Sequence, residues 1–312
     1  MKSKIAKRAG ILGVVAAAVA GAVVAVSSGS AEGAPDAAAW RTPVKAFGVE
    51  YDASHVYLQH GKLPAFIKSW EATFGGTDNG QNTFQITPTP SKALASIIHS
   101  PVGLLAAYDY QTPVPFPFGA EQTGFGVHDP DLGADAALRS GAAVTVTPWT
   151  GPVGREAVVQ FPGGFASQIW KQFDMSGFTP LTTQPEFRVY LPETTVNAFL
   201  ASYLKFTGGS VISDVRKADG GEVGAPGTTY HRIRIKTQFG NTVVLAGNGD
   251  WTYPYGRDTT GYTVSDVNAT VAKAAANGAT VLSGPYKSKD RTSVILQFPG
   301  GYIAEVHDGV FH

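Results

Sequence analysis

Apolar positions in the first part of the chain recur in ways that predict a strand, a helix and a turn in a fixed order. Residues 55–59 have the composition of a strand, and Phe66, Ile67 and Trp70 then recur at the spacing of one helical face. A Gly-Gly pair at residues 75–76 ends this helix. The stretch therefore predicts one strand followed by one amphipathic helix.

The same plan returns in residues 122–144. Phe125 and Val127 mark a second opening strand, residues 134–139 predict a helix, and Gly141 ends it. Strand-like stretches follow both helices, and the second set closes with a Pro-Gly-Gly turn and a last strand at residues 165–170. Each module is then a strand, a helix and about three further strands.

The chain also repeats itself over a longer distance. Residues 159–164 (VQFPGG) return as residues 296–301 (LQFPGG), 137 positions later. Upstream, an offset of 133 positions carries residues 55–58 (HVYL) onto residues 188–191 (RVYL). Such matches indicate that a unit of roughly 130 residues, itself double, occurs twice. Because one module cannot cover its own sheet face, two modules should pair around a shared concave surface.

The first residues of the chain have the layout of a secretory signal. Basic residues precede an uncharged stretch at residues 9–31 that is rich in Ala, Val and Gly: Lys2, Lys4, Lys7 and Arg8. Residues 1–39 are therefore predicted to be a signal peptide, cleaved after Ala31 or before Trp40. The alternative is an uncleaved membrane anchor, because the apolar run is long enough to span a bilayer. We expect a secreted protein with no stable membrane association after cleavage.

Composition narrows the partners and the chemistry. Lys plus Arg and Asp plus Glu both number 24, so there is no basic excess and nucleic acid is not an expected partner. The chain has no cysteine, which excludes disulfides, thiolate metal sites and cysteine nucleophiles. With 43% apolar residues, the chain is long enough to bury substantial cores.

Four short motifs together resemble a known superfamily. They are the opening strands at residues 54–58 (SHVYL) and 125–129 (FGVHD) and the closing turns at residues 161–164 (FPGG) and 298–305 (FPGGYIAE). In this order they resemble the vicinal oxygen chelate superfamily of glyoxalase, bleomycin-resistance and extradiol-dioxygenase proteins, over roughly residues 46–309.

The resemblance implies a fold and its domains. The expected fold class is α+β, with four βαβββ modules paired into two half-open barrels. Two glyoxalase-like domains are expected, at residues 46–176 and 185–312.

In that superfamily the metal ligands lie on the opening and last strands of each module and are usually His, Glu or Gln. Carried over module by module, these positions hold His55 and Ala107, Gln122 and Gln168, Arg188 and Leu245, and Thr259 and Glu305. One imidazole with two neutral amides is a poor site for a divalent cation, and an arginine would repel one.

The pairing of the modules decides which of these residues meet. If the modules pair in chain order, His55 lies with Gln122 and Gln168, and Glu305 lies beside Arg188. If module one pairs with module four, His55 and Glu305 could meet, with His307 on the same strand face as Glu305. The second arrangement is the better metal hypothesis, with His55 and Glu305 as catalytic residues and as ligands of a divalent metal ion.

Aromatic residues between the modules suggest a pocket wall. Trp251, Tyr253 and Tyr255 either pack on a barrel rim or face a flat or apolar ligand. With Gln122, Gln168 and Arg188, they are the residues expected to contact a substrate.

Two functions stay open. The first is a secreted glyoxalase-like enzyme, a lyase or dioxygenase with an incomplete ligand set, that acts on a small molecule in a barrel concavity. The alternative is a metal-free protein that sequesters a small molecule, as bleomycin-resistance proteins do.

Overall fold

The architecture comes from a computed structural model that describes residues 43–247 and 259–312. The predicted signal peptide at residues 1–39 lies outside these ranges, as do Trp251, Tyr253 and Tyr255. Within the described ranges, no helix is both long enough and apolar enough to cross a membrane.

The first half of the described chain contains two modules. Their elements are β1 (Ala53–Tyr57), α1 (Leu63–Phe74), β2 (Thr77–Asp78), β3 (Asn82–Phe84), β4 (Ala93–Ser100), β5 (Gly103–Tyr110), β6 (Thr123–Gly126), α2 (Pro130–Ser140), β7 (Ala143–Thr150), β8 (Gly154–Gln160) and β9 (Ala166–Gln172).

The second half repeats this order, except that one strand, β11, replaces the two short strands β2 and β3. Its elements are β10 (Glu186–Pro192), α3 (Val196–Thr207), β11 (Ser210–Asp219), β12 (Thr229–Thr237), β13 (Gly240–Gly247), β14 (Thr260–Thr263), α4 (Val267–Ala276), β15 (Thr280–Lys287), β16 (Thr292–Gln297) and β17 (Ile303–His307).

Local capping sets the length of α2, which begins four residues before the predicted helix. The Asp129 carboxylate accepts hydrogen bonds from the backbone N–H groups of Asp131 and Leu132 at 2.9 and 3.1 Å. Pro130 occupies the first turn, where its missing N–H is no loss. Gly141 ends the helix at a φ of 94°, a left-handed conformation that favours glycine.

Hydrogen bonds pair the modules in chain order. The first sheet has the strand order β2-β4-β5-β1-β6-β9-β8-β7, with β3 beside β4, and the second has the order β11-β12-β13-β10-β14-β17-β16-β15. In each sheet the opening strands of two consecutive modules meet as an antiparallel pair, and each lies parallel to the last strand of its own module. This confirms the predicted α+β fold of paired modules. Modules one and four do not share a sheet.

Modules from different sheets instead share a core. Helices α1 and α4 pack together, as do α2 and α3. One buried cluster joins modules one and four through residues such as Trp70, Tyr262 and Phe298, and another joins modules two and three through Phe125 and Phe199. Because side chains alternate across a strand, the positions beside these core residues point to the opposite face of each sheet.

Candidate functional site

The concave face of the first sheet surrounds a cavity of about 150 Å³. On β1, Val56 points into the core shared with module four, whereas Ala53, His55 and Tyr57 line the cavity. Strands β3, β4, β5, β8 and β9 and their adjoining loops supply the rest of the wall, so both modules of the first sheet contribute to it. The cavity is therefore formed by the pairing of modules one and two.

Aromatic rings form much of the cavity wall. Tyr57 stacks on Tyr108 with ring centroids 5.7 Å apart, and Tyr110 lies 5.6 Å from Tyr57. Trp170 and Phe178 form a second pair, with centroids 5.9 Å apart. Such rings offer large rigid surfaces to a ligand at a low cost in conformational entropy.

His55 lies at the base of this aromatic wall. Its Nδ1 is 3.1 Å from the hydroxyl oxygen of Tyr57, and that hydroxyl donates to the backbone carbonyl of Glu121 at 3.0 Å. Burial lowers the pKa of His55 to about 3, although a hydrogen bond with Gln168 opposes the shift. The imidazole is therefore neutral at pH 7.

Two carboxyl groups share the cavity with His55. Burial raises the pKa of Glu121 to about 7, and burial together with the charge of Glu121 raises that of Glu156 to about 8. Gln168 donates its side-chain N–H to Glu156. The Oε2 atom of Glu121 is buried without a hydrogen-bond partner in the described part of the chain.

The second sheet holds a buried ion network at the corresponding place. Glu186, Arg188, Arg291, Glu305 and His307 are each 5% exposed or less. Arg188 pairs with Glu186 at 2.8 Å and also with Glu305, and Arg291 binds Glu186 through both guanidinium Nη atoms at 3.0 and 3.1 Å. Two positive and two negative charges thus neutralise each other out of contact with water.

The pairing fixes the charge state of the network. Burial alone would raise the pKa of both carboxyls, but Arg291, His307 and Arg188 hold the pKa of Glu186 well below its usual value, and Arg188 likewise lowers that of Glu305. Burial lowers the pKa of His307 to about 4, so this imidazole is neutral.

Carboxylates and imidazole together could suit a divalent metal, and three ligand atoms from Glu186, Glu305 and His307 lie within 4.8 Å of one another. However, Arg188, Arg291 and Ser293 already donate to the four oxygens of the two carboxylates. A divalent ion would displace these donors and face two guanidinium charges. The residues present therefore do not fit a divalent metal.

The predicted ligands of the first barrel do not fit a metal either. Gln168 contacts His55, and the Gln122 side chain instead accepts a hydrogen bond from the backbone N–H of Ala166 at 3.3 Å. Across the described ranges, the one cluster of three His, Asp or Glu ligands is the group in the second barrel. One imidazole and one amide are too few donors for a divalent ion.

His55 and Glu305, predicted to form one site, lie on β1 and β17 in different sheets. Both point away from the core that modules one and four share, because their strand neighbours Val56 and Val306 fill that core. The structure thus differs from the hypothesis of a joint metal site. Arg188 is predicted to contact a substrate, but in the structure its guanidinium is buried between two glutamates.

Several residues of these sites were not singled out from the sequence: Glu121, Glu156, Tyr57, Tyr108, Tyr110, Trp170, Glu186 and Arg291. A signal was present for some of them. Glu186 and Arg188 alternate with apolar residues on β10, as Glu305 and His307 do on β17. Charged residues on one face of a strand whose other face is apolar indicate either a solvated face or a buried network, and only the cover over that face distinguishes the two.

The four modules form two sheets, each built from two consecutive modules, and solved structures share this fold. A mutant of 4-hydroxymandelate synthase from Streptomyces coelicolor matches with a TM-score of 0.56 and 12% identity, covering 86% of this chain and 94% of the other. The 2,3-dioxygenase LapB from Pseudomonas sp. KL28 matches with a TM-score of 0.53 and 12% identity over 85% and 94% of the two chains.

A variant of homoprotocatechuate 2,3-dioxygenase from B. fuscum matches with a TM-score of 0.51 and 12% identity, over 87% of this chain and 73% of the other. These proteins belong to the vicinal oxygen chelate superfamily, so the predicted resemblance in fold is confirmed. No family model matches the chain, and no curated protein matches its sequence. The likeness therefore shows the fold.

Proposed function

We propose that the protein binds an organic small molecule in the cavity of the first barrel without a metal ion. The observation that supports this most directly is the cavity of about 150 Å³, lined by aromatic rings and a few polar groups. Ligand pockets of this kind combine apolar surface for affinity with a few polar groups for orientation. The second barrel has buried ion pairs at the corresponding positions, which leaves the first as the binding barrel.

Two of the similar proteins, 4-hydroxymandelate synthase and homoprotocatechuate 2,3-dioxygenase, are named for small molecules, and this supports a small-molecule ligand here. A metal-dependent lyase or dioxygenase would need a ligand set that neither barrel supplies. Sequestration, as in bleomycin-resistance proteins, needs only the cavity.

A thermal-shift screen with a library of small aromatic compounds tests the proposal. A ligand that binds only the folded state raises the midpoint of unfolding. We expect stabilising compounds for the wild type and loss of this stabilisation in Trp170→Ala, because Trp170 lines the cavity.

Phe173→Ala is the matched control, since Phe173 follows β9 but is 71% exposed and is not part of the cavity wall. A library without a stabilising compound, or equal stabilisation of the wild type and Trp170→Ala, would contradict binding in this cavity.

Acid–base catalysis is a second candidate, favoured by Glu156. With a pKa of about 8, this carboxyl is protonated at pH 7 and could donate a proton to a bound substrate. His55, with a pKa of about 3, is a poor base at the same pH. Turnover of a library ligand that is lost in Glu156→Gln, while its binding persists, would support catalysis; binding without turnover would favour sequestration.

We also propose that the protein is exported, because residues 1–39 have the charge and apolar pattern of a signal peptide. N-terminal sequencing of the protein recovered from the culture medium should give a start at residue 32 or at residue 40. Retention of the intact chain in the membrane fraction would support the anchor instead.

A further inference from the structure

We propose that the cavity of the first barrel recognises an organic cation, an amine or quaternary ammonium ion with an apolar body. The inference rests on the small-molecule function proposed above and specifies the charge of the ligand. It follows from two carboxyl groups, Glu121 buried and Glu156 half-buried, that have no cationic partner and lie among aromatic rings.

The carboxyl groups of Glu121 and Glu156 accept hydrogen bonds, from the backbone at residues 119–121 and from Gln168, but no cationic side chain faces them. The only basic residues in the described wall are His55, Arg155 and Lys171. Arg155 and Lys171 alternate with Glu156 and Trp170 along β8 and β9, so they point to the opposite face of the sheet. Arg155 binds Asp131 there, with Nη2 2.6 Å from Oδ1.

The groups that face the two carboxyls from the surrounding strands are neutral near pH 7. They are His55 and Tyr57 on β1, Tyr108 and Tyr110 on β5, and Gln168 and Trp170 on β9. Burial lowers the pKa of His55 and raises those of the three tyrosines. The charge of the cavity is therefore set by Glu121 and Glu156.

Aromatic rings strengthen the preference for a cation. The stacked rings of Tyr57 and Tyr108 and the indole of Trp170 line the same cavity as the carboxyls. The negative face of such rings attracts an ammonium group, most strongly where water is excluded. An anion would meet these ring faces and, above the pKa of the carboxyls, two carboxylates, and both would repel it.

A cation should also change the protonation of the cavity. In the free protein, burial holds the pKa of Glu121 at about 7 and that of Glu156 at about 8, so both are largely protonated in mildly acidic solution. A bound ammonium ion favours the carboxylate form and lowers both pKa values. Binding should therefore release protons, and affinity should rise as the pH increases from 6 to 9.

Titration calorimetry with three probes that share a phenyl ring tests the inference. The probes are benzyltrimethylammonium, benzyl alcohol and benzoate, which are cationic, neutral and anionic. We expect the cation to bind about tenfold or more tightly than the other two and to release protons, detected by repeating the titration in buffers of different ionisation enthalpy.

Variants separate the charge from the shape of the cavity. Glu156→Gln and Glu121→Gln preserve size and remove an ionisable group, so each should weaken binding of the cation about tenfold or more and reduce its pH dependence. Asp135→Asn removes an acidic group from the exposed face of α2 and should leave binding unchanged. Circular dichroism of each variant checks that it folds.

The outcomes distinguish this inference from the proposed function. Binding of benzyl alcohol or benzoate as tight as that of the cation, or unchanged cation binding in both glutamine variants, overturns the cationic ligand and leaves small-molecule binding intact. If none of the three probes binds, the compounds that stabilise the protein in the thermal-shift screen decide. Stabilising compounds that are all neutral or anionic overturn the inference, and a screen without any stabilising compound overturns both proposals.

Discussion

The two barrels are copies of one backbone with opposite interiors. Equivalent strand positions hold Ala53 and Glu186, His55 and Arg188, Glu156 and Ser293, Gln168 and Glu305, and Trp170 and His307. In the first barrel the inward residues leave a cavity with two carboxyl groups that have no cationic partner. In the second they form a neutral network in which each charge meets an opposite one.

The difference shows how the balance of buried charges determines whether the concave face of a sheet is filled by its own side chains or left open. A buried charge without a partner is costly, so it persists where a ligand, water or a proton can compensate it. A balanced set compensates itself and can fill the space. A duplicated fold can thus keep one half for binding and use the other as a structural core.

The largest expected effect comes from breaking the network of the second barrel. Arg188→Ala leaves Glu305 and Glu186 short of a partner in the interior, which should reduce the free energy of unfolding by about 3–5 kcal/mol. Urea denaturation followed by circular dichroism measures this. Arg216→Ala, which removes an arginine from an exposed ion pair, should change the stability little. Equal effects in the two variants would contradict the structural role of the network.

The second expectation concerns pH, which should act on the two barrels in opposite directions. Glu156 has a folded pKa of about 8, above its unfolded value of 4.5, so its contribution is present at low pH and is lost as the pH rises from about 4.5 to 8. The slope cannot exceed about 1.4 kcal/mol per pH unit for one proton. Glu186 and Glu305 have lowered pKa values, so their contribution is lost as the pH falls below the usual range of a carboxyl.

Urea denaturation at pH 3, 4, 5, 6.5 and 8 separates the two effects, because the acid-side loss lies below the ordinary carboxyl pKa of 4.5. Glu156→Gln should flatten the decline toward pH 8 and leave the loss of stability at acid pH unchanged. A wild-type protein whose stability is the same at pH 5 and pH 8 would contradict a raised pKa of the Glu156 carboxyl.

The third expectation is that the Arg188 guanidinium prevents a metal ion from binding to Glu186, Glu305 and His307. Arg188→His removes a positive charge beside Glu186, Glu305 and His307 and adds an imidazole, which together form a plausible set of ligands. Cobalt(II) at 100 times its dissociation constant should stabilise this variant by about 2.7 kcal/mol and leave the wild type unaffected. Cobalt-dependent stabilisation of the wild type would show that the native donors accept a metal despite Arg188.

The smallest expected effect compares two equivalent glycines. A Cβ at Gly261 would lie 2.5 Å from Arg188 Nη2, and one at Gly124 would lie 2.7 Å from His55 Nε2. Arg188 is fixed between two glutamates, whereas His55 borders open space. Gly261→Ala should therefore cost about 1–3 kcal/mol and Gly124→Ala less. Thermal unfolding of both variants measures the difference, and the reverse order would mean that the first cavity is the more rigid.

The sequence predicted the fold from local signals. Helical spacing at Phe66 and Trp70, the Pro-Gly-Gly turns and the two registers of repetition were enough to indicate four modules in two pairs. These features depend on neighbours in the chain, which is why they can be recognised without a structure. The resemblance to the vicinal oxygen chelate superfamily also implied that His55, Gln168, Arg188 and Glu305 occupy ligand positions on opening and last strands, and the structure places all four on such strands.

The partners of these inward residues depended on the tertiary structure. Glu156 meets Gln168 through strand pairing, whereas Arg188 meets Glu305 across 117 positions of sequence. Whether His55 faces Glu305 depended on which modules share a sheet, and both arrangements satisfy the same local pattern. Hydrogen bonding between consecutive modules decided this, and with it which charges are neutralised. The sequence by itself determined the order of strands and helices in each module, because these depend on local patterns, and only the packed structure decided that one barrel is filled and the other is open.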